Sequence, residues 1–293
     1  MPSLKEIRAR INSVASTQKI TNAMKMVSAG KLKKAESTTE RFMPYMHKLH
    51  ETLSNYLNTL EETLNIPLCE KRQVKKVMLM AFSSNNGLCG VYNANIDRLL
   101  KETYSEYVAQ LGKDNVTVYL AGKKVGDYAK RMGIPVIKNL LEISAKPTYE
   151  DACVLCDLFT KLFLEGSIDK VELIYNHYKN TGVQIPQCEV LLPLQVAVPD
   201  NTNDTSYRDY IVEPSKEEFV NEMVPKVLRT NLFSIMLDAH AAEHGARTTA
   251  MHIASDNAEQ LSQELRIVYN KARQEVITNE LMDIVGGAEA LSE

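Results

Sequence analysis

The stretch SLKEIRARINSVASTQKITNAMKMVSAGKLKKA (3–35) decides the fold. Its apolar residues step by three and four, at Leu4, Ile7, Ile11 and Val14, the spacing that lays one stripe along a helix. The same register then passes through polar Gln18, Thr21, Lys25 and Ser28. Apolar residues return at Leu32, Ala35, Phe42, Met46, Leu49, Leu53, Tyr56 and Leu60. Across the polar interruption the apolar residues rotate to another face, at Ile20, Ala23, Met24 and Val27. A continuous stripe suits a paired helix, so the rotated face calls for a different neighbour. The reading predicts helix over 3–64, roughly 90 Å at ~1.5 Å per residue, kinked or divided at Pro44.

The other end of the chain has the same character. Residues 1–60 hold one glycine, Gly30, and prolines only at Pro2 and Pro44; residues 215–285 hold only Gly245 and Pro225. After Pro214, Ser215 is placed to cap a helix, with Glu218 at capping-box spacing. The predicted seam runs through Ala250, Ala254, Ala258, Leu261, Leu265, Val268 and Ala272, and closes with Ile277, Leu281, Ile284, Ala288 and Leu291. Two helices of this length must bury their stripes on each other or on another protein. Residues 1–60 carry ten Lys/Arg against four Glu, and residues 215–293 carry seven against thirteen Asp/Glu, so opposite charge favours pairing within one chain. Exposed pairs are individually weak, ~0.2–1 kcal/mol, so charge sets orientation rather than stability.

Between the ends, strand and helix patterns alternate. Strands are predicted at 74–82, 115–121, 134–138 and 169–178, with an extended, proline-bearing segment over 183–198 suited to a sheet edge. Helices are predicted at 93–110, 123–132 and from Thr148 to about 165. Such alternation implies a mostly parallel sheet covered by helices. The polar run 200–206 reads as a linker, giving three regions: 1–64, 65–206 and 207–293.

The bulk composition of the 293 residues, 44% apolar and 24% charged, is that of a globular chain. The first residues are charged where a secretory signal needs an apolar run. No stretch approaches the ~18 apolar residues that cross a bilayer, so membrane association is expected through partners. Five unframed cysteines, Cys69, Cys89, Cys153, Cys156 and Cys188, read as free thiols in a reducing compartment.

Several short motifs invite chemistry. His240, Glu243 and His244 match the H-x-x-E-H pattern of one zinc protease class, set against a solvated helix face in a segment without a third ligand. Cys153 and Cys156 form a C-x-x-C with an apolar interior, which favours a half-buried thiol pair over a redox couple. Gly87 and Gly90 follow a strand, yet neither a phosphate loop nor G-x-G-x-x-G is present. The basic run Lys5, Arg8, Arg10, Lys19, Lys25, Lys31, Lys33 and Lys34 lacks the interleaved aromatics of a nucleic-acid binder; acidic protein surface or plain solvent fits it equally.

Residues 3–35 resemble the opening helix of the F-type ATP synthase gamma subunits of bacteria. ARTTAMHIASDNAEQLSQELRIVYNKARQEVITNELMDIVGGAEAL (246–291) resembles their closing helix, and SSNNGLCGVYN (83–93) their central signature. Ser28-Ala29-Gly30, Val91 and Thr248-Thr249 depart from the usual pattern without removing a segment, and the cysteine-bearing insertion of the chloroplast form is absent. The resemblance implies an α/β fold with long terminal helices: an antiparallel coiled coil of the N- and C-terminal helices plus a Rossmann-like α/β domain. It implies a central-stalk rotor with no catalytic residue, cofactor or metal, peripheral on the cytoplasmic face of the bacterial inner membrane. The implied partners are the alpha and beta subunits, the epsilon subunit and the membrane c-subunit ring, with no nucleic acid and no direct membrane insertion. Carried over by position, Met24, Lys25 and Arg247 would couple rotation to the catalytic subunits. Arg273, Gln274, Thr278 and Glu280 would make polar contacts with the surrounding sleeve. Tyr210 and Glu213, with Pro214, would face epsilon and the ring. Ile284, Val285, Gly286, Gly287, Ala288 and Leu291 would form a small, uncharged tip. Two other classes compete: a homodimeric coiled-coil scaffold, and a zinc hydrolase built on His240, Glu243 and His244.

Overall fold

The computed structural model describes residues 3–58, 66–70, 72–195 and 215–290. Helix α1, Leu4–Asn58, begins at a reciprocal cap in which the Ser3 N–H donates to Glu6 Oε2 (2.9 Å) and the Glu6 N–H donates to Ser3 Oγ (3.3 Å). It continues through Pro44 as one helix, which removes the division from the two outcomes expected there, a kink or a division. Pro44 and Glu40, the residue whose carbonyl loses its donor there, are both exposed, so water can replace the missing bond. The last helix, α6, spans Lys216–Ala290 and starts where expected, with the Glu218 N–H donating to Ser215 Oγ (3.2 Å).

The middle of the chain forms β1 (Val77–Phe82), α2 (Tyr92–Leu111), β2 (Val116–Ala121), α3 (Lys123–Met132), β3 (Lys138–Asn139), α4 (Leu141–Ala145), α5 (Tyr149–Leu164), β4 (Lys170–Asn180) and β5 (Val183–Leu192). The sheet order is β3-β2-β1-β4-β5, parallel except for the antiparallel β4–β5 pair. Strand β1 is buried on both faces and sorts its side chains by period two. Val77, Leu79 and Ala81 pack with Ile96 and Leu100 of α2 and Val125 and Ala129 of α3. Met78, Met80 and Phe82 join the larger core on the other face, with Phe159 and Phe163 of α5, Leu49 and Leu53 of α1, and Val220–Ala239 residues of α6.

The extended segment expected at 183–198 forms edge strand β5 over Val183–Leu192, its residues 196–198 lying outside the described residues, and two other strand predictions shorten. Before β1, the Lys75 and Lys76 N–H groups donate to Asp169 Oδ2 (2.8 and 2.9 Å) instead of joining the ladder. The strand expected at 134–138 reduces to β3, because Gly133 ends α3 in the left-handed region and Pro135 has no N–H to donate. Pairing starts only at Ile137, whose N–H donates to the Val118 carbonyl (2.9 Å). Helix α4 was not anticipated. The expected linker at 200–206 and both regional boundaries, near 64 and 206, lie outside the described residues.

The structure divides into two compact units, Met1–Val27 with Thr248–Glu293, and Ser28–Arg247. Within the larger unit α1 and α6 run antiparallel: Phe42 meets Phe233 edge-on at 5.1 Å, and farther along α1 Tyr56 meets Phe219 at 4.7 Å. Within the smaller unit, Ile7 and Thr21 of α1 and Met251, Ser255, Ala258 and Ser262 of α6 are buried. The α1 seam is the predicted one as far as Tyr56, including its polar interruption; Leu60 lies outside the described residues. The α6 seam is borne out at buried Ala258 and departs from the prediction beside it: Ser255 and Ser262 are buried, and apolar Leu261 and Val268 face outward. Among the described residues, no helix is long and apolar enough to cross a membrane.

Candidate functional site

The signature loop 83–91 leaves the C-terminal end of β1, where parallel sheets place their ligand sites, facing the first turn of α3. In a nucleotide-binding fold, free N–H groups of such a turn would hold phosphate. Here the loop itself takes them. Lys123 N–H donates to Asn85 Oδ1 (3.0 Å), Lys124 N–H to the Ser84 carbonyl (3.1 Å) and Val125 N–H to Ser83 Oγ (3.1 Å). Gly122 makes this approach possible: it sits at φ 120°, and a Cβ there would collide with the Ser83 carbonyl. Asn85 Nδ2 donates to the Leu141 carbonyl (2.8 Å) and Ser144 Oγ to the Ser83 carbonyl (2.6 Å), which fixes α4 to the same loop.

The loop's other side meets α6. Cys89 and Tyr92 are buried against Ala242 and Ala246, and the Tyr92 hydroxyl donates to the Ala239 carbonyl (3.1 Å). Asn176 Nδ2 of β4 donates to the Tyr92 carbonyl (3.0 Å), so sheet, loop and helix share one polar network. Residues 241–247 of α6 are buried without interruption. This overturns the solvated-face alternative for His240-Ala-Ala-Glu-His244. Gly245 belongs to that run because a Cβ would come within 2.8 Å of the Tyr178 ring.

Inside this sleeve lies a chain of polar groups. Arg247 Nη1 pairs with Glu243 Oε1 (2.7 Å), Arg247 Nη2 donates to the Asn86 carbonyl (3.2 Å), and Nη1 approaches His244 Nδ1 (3.3 Å). Guanidinium only donates, so His244 Nδ1 accepts and its Nε2 carries the proton toward His240 Nε2, 3.2 Å away. Burial holds both imidazoles neutral, His240 at about 4 with Lys31 adding to the effect and His244 at about 3 with His240 adding to it. Burial raises the Glu243 carboxyl, and Arg247 opposes that shift. The histidines face each other, ring edge to ring face at 4.5 Å between centroids. No cluster of three or more His, Cys, Asp or Glu that could hold a metal occurs among the described residues.

The other expected contact residues fall elsewhere. Met24 and Lys25 are half-buried on α1, beside Ile20 and Val27, which are 60% and 61% exposed. Arg273, Gln274, Thr278 and Glu280 are exposed on one length of α6, where Thr278 Oγ1 donates to the Gln274 carbonyl (2.9 Å). Beyond them Leu281, Met282, Ile284 and Val285 are all more than half exposed, and Ala288 is exposed. Tyr210, Glu213 and Leu291 lie outside the described residues. Cys153 is half-buried and Cys156 buried, its thiol pushed up to about 12 by burial, consistent with an inert thiol pair. Sequence reasoning did not single out Ser83, Asn85, Asn86, Tyr92 or Asn176 individually; the available signal was the run of small polar residues directly after a strand.

The family model described as ATP synthase matches residues 3–291 of this chain. The chain is 46% identical over 292 residues to the ATP synthase gamma chain of Bacteroides fragilis, covering 99% of this chain and all of the relative. It is 47% identical to the ATP synthase gamma chain of Flavobacterium johnsoniae, covering both chains completely. Among solved structures, a chain of the Euglena gracilis mitochondrial ATP synthase matches with TM-score 0.67 at 19% identity, covering 98% of this chain and 94% of that one. A chain of the central stalk and c-ring structure of the Tetrahymena thermophila mitochondrial ATP synthase matches with TM-score 0.56 at 22% identity, covering 80% and 99%.

Proposed function

The chain belongs to the ATP synthase gamma chain family, and on that premise we propose that it is the central-stalk rotor subunit of a proton-translocating F-type ATP synthase. It transmits torque between the membrane c-subunit ring and the catalytic hexamer of alpha and beta subunits, with epsilon beside it, in ATP synthesis or hydrolysis. The observation that carries this reading is the last stretch of α6. Val276, Ile277, Leu281, Met282, Ile284 and Val285 are between 39% and 70% exposed, an apolar length of helix left without cover among the described residues. Isolated soluble proteins rarely leave such a surface open, and an apolar sleeve made by other subunits would cover it.

The subunit itself is non-catalytic. Support comes from the first turn of α3, whose phosphate-ready N–H groups are satisfied by Ser83, Ser84 and Asn85. It sits peripherally on the cytoplasmic face of the bacterial inner membrane, held there by its partners. Lys25, on a helix with Lys19, Lys31, Lys33 and Lys34, meets an acidic lever of a beta subunit beside Met24, while Arg273, Gln274, Thr278 and Glu280 make polar contacts with the sleeve. Tyr210 and Glu213 face epsilon and the ring.

Co-expression with alpha and beta subunits tests the reading. The chain is expected to co-purify with both in one ATP-hydrolysing complex, and to hydrolyse no ATP alone. A chain that forms a stable dimer by itself and leaves the alpha and beta subunits unbound would point instead to a scaffold.

A further inference from the structure

Arg247 matches a position at which the family's rotation is coupled to the catalytic subunits, yet in this chain its side chain faces inward. The residue is 6% exposed, and Glu243 beside it 7%. Its two terminal nitrogens do different work. Nη1 holds the Glu243 carboxylate at 2.7 Å, while Nη2 reaches a backbone carbonyl 161 residues earlier in the chain, that of Asn86, at 3.2 Å.

That carbonyl is the apex of the signature loop. It also accepts from Ser84 Oγ at 2.6 Å, and Ser84 is in turn held by Asn93, whose Oδ1 accepts the Ser84 N–H at 3.1 Å. Arg247 therefore closes a turn that starts at β1 and ends at the first residues of α2. The turn it closes is strained and displayed. Leu88 sits at φ 62°, a region that side-chain-bearing residues rarely adopt, and is 64% exposed; Val91 is 67% exposed. Cys89, between them, is 2% exposed and anchored against α6. A loop held this way presents a fixed surface, and the hold depends on a bidentate guanidinium that a single-point ammonium cannot replace.

We propose that Arg247 is a positioning residue: it clamps loop 83–91 onto α6, and it affects coupling through the set of that loop rather than by touching a catalytic subunit. The inference rests on the rotor reading above. Arg247→Lys separates the two roles, because it keeps the positive charge a partner contact would need and removes the two-pronged bridge.

The test uses the assembled complex, with the membrane sector in sealed vesicles. Two quantities are read for the natural chain, Arg247→Lys and Arg247→Gln: amide hydrogen exchange over 84–91, and ions pumped per ATP hydrolysed. The pumping ratio is normalised to hydrolysis, so partial loss of complex leaves it unmoved. The lysine variant is expected to exchange about tenfold faster in the loop, the scale of losing a hydrogen bond to a charged group. Its pumping ratio is expected to fall about threefold, within the range for residues that modulate coupling. Arg247→Gln should do the same, and if it fails to assemble the lysine variant decides alone. The proposal is overturned if the lysine variant pumps normally, or if either variant loses pumping while the loop stays protected. Failure of the rotor reading itself would look different: the natural chain would not enter the complex at all.

Discussion

At the scale of single residues, the buried run 241–247 shows how one pattern supports opposite chemistries. The two histidines with a glutamate between them have zinc-protease spacing, and the sequence offers no way to see that the imidazoles point at each other. Neutrality is the consequence that can be measured. Both histidines have folded values, about 4 and about 3, well below the ~6.5 of an unfolded histidine. Between those values the unfolded chain binds more protons than the folded one, so stability falls as pH drops from about 6.5 toward 4. Lys31 and Arg247 push in the same direction, while Glu243, raised by burial, opposes it. Asp97, pushed up to about 6, and Asp238 are raised by burial too and oppose it as well, so the share of the two imidazoles is isolated by removing both. The melting temperature is expected to fall between pH 7.5 and pH 5, and His240→Gln with His244→Gln should flatten that dependence. An unchanged pH slope in the double variant would show that the pair does not report on folding.

At the scale of elements, legibility followed how strongly each side chain announces its environment. The α1 seam was readable because Leu32, Ala35, Leu49 and Leu53 repeat at helical spacing, and the polar stretch kept the register. On α6 the same logic selects Ala254 and Leu261, whereas the buried residues are the serines one position on, Ser255 and Ser262. Serine suits that seam for its size. The Thr21 and Ser255 hydroxyls lie 2.7 Å apart across it, and Thr21 Oγ1 also donates to the Gln18 carbonyl (3.0 Å), which leaves Ser255 as the donor to Thr21. Removing that donor alone by Ser255→Ala should cost about 1 kcal/mol of local stability, whereas Thr21→Val with Ser255→Ala, which removes both ends, should be nearly neutral. Amide exchange over 14–28 and 248–262 measures it; equal loss in both variants would contradict the pairing. The short β3 and α4 were hard to read for another reason. They are set by Pro135 and by hydrogen bonds from the signature loop, contacts that no local periodicity encodes. That loop was legible as a family signature, but its donors and acceptors only make sense once α3, α4 and α6 surround it.

At the scale of the whole molecule, the distribution of exposed apolar side chains separates a rotor from a self-contained enzyme. The larger unit buries its sheet between two helical layers, with Val77, Leu79 and Ala81 on one side and Met78 and Met80 on the other all at 0% exposure. The smaller unit is the opposite, leaving Ile20, Val27, Ile267, Leu281, Met282, Ile284 and Val285 open along its two helices. Terminal segments poor in glycine and proline point to that contrast, and opposite charge on the two ends points to their belonging together. The most direct measurement places a marker on this chain in a surface-held complex with alpha and beta subunits and watches it while ATP is hydrolysed. The account predicts stepwise rotation in one direction that stops when ATP is withdrawn. Steady hydrolysis with a stationary marker would contradict it.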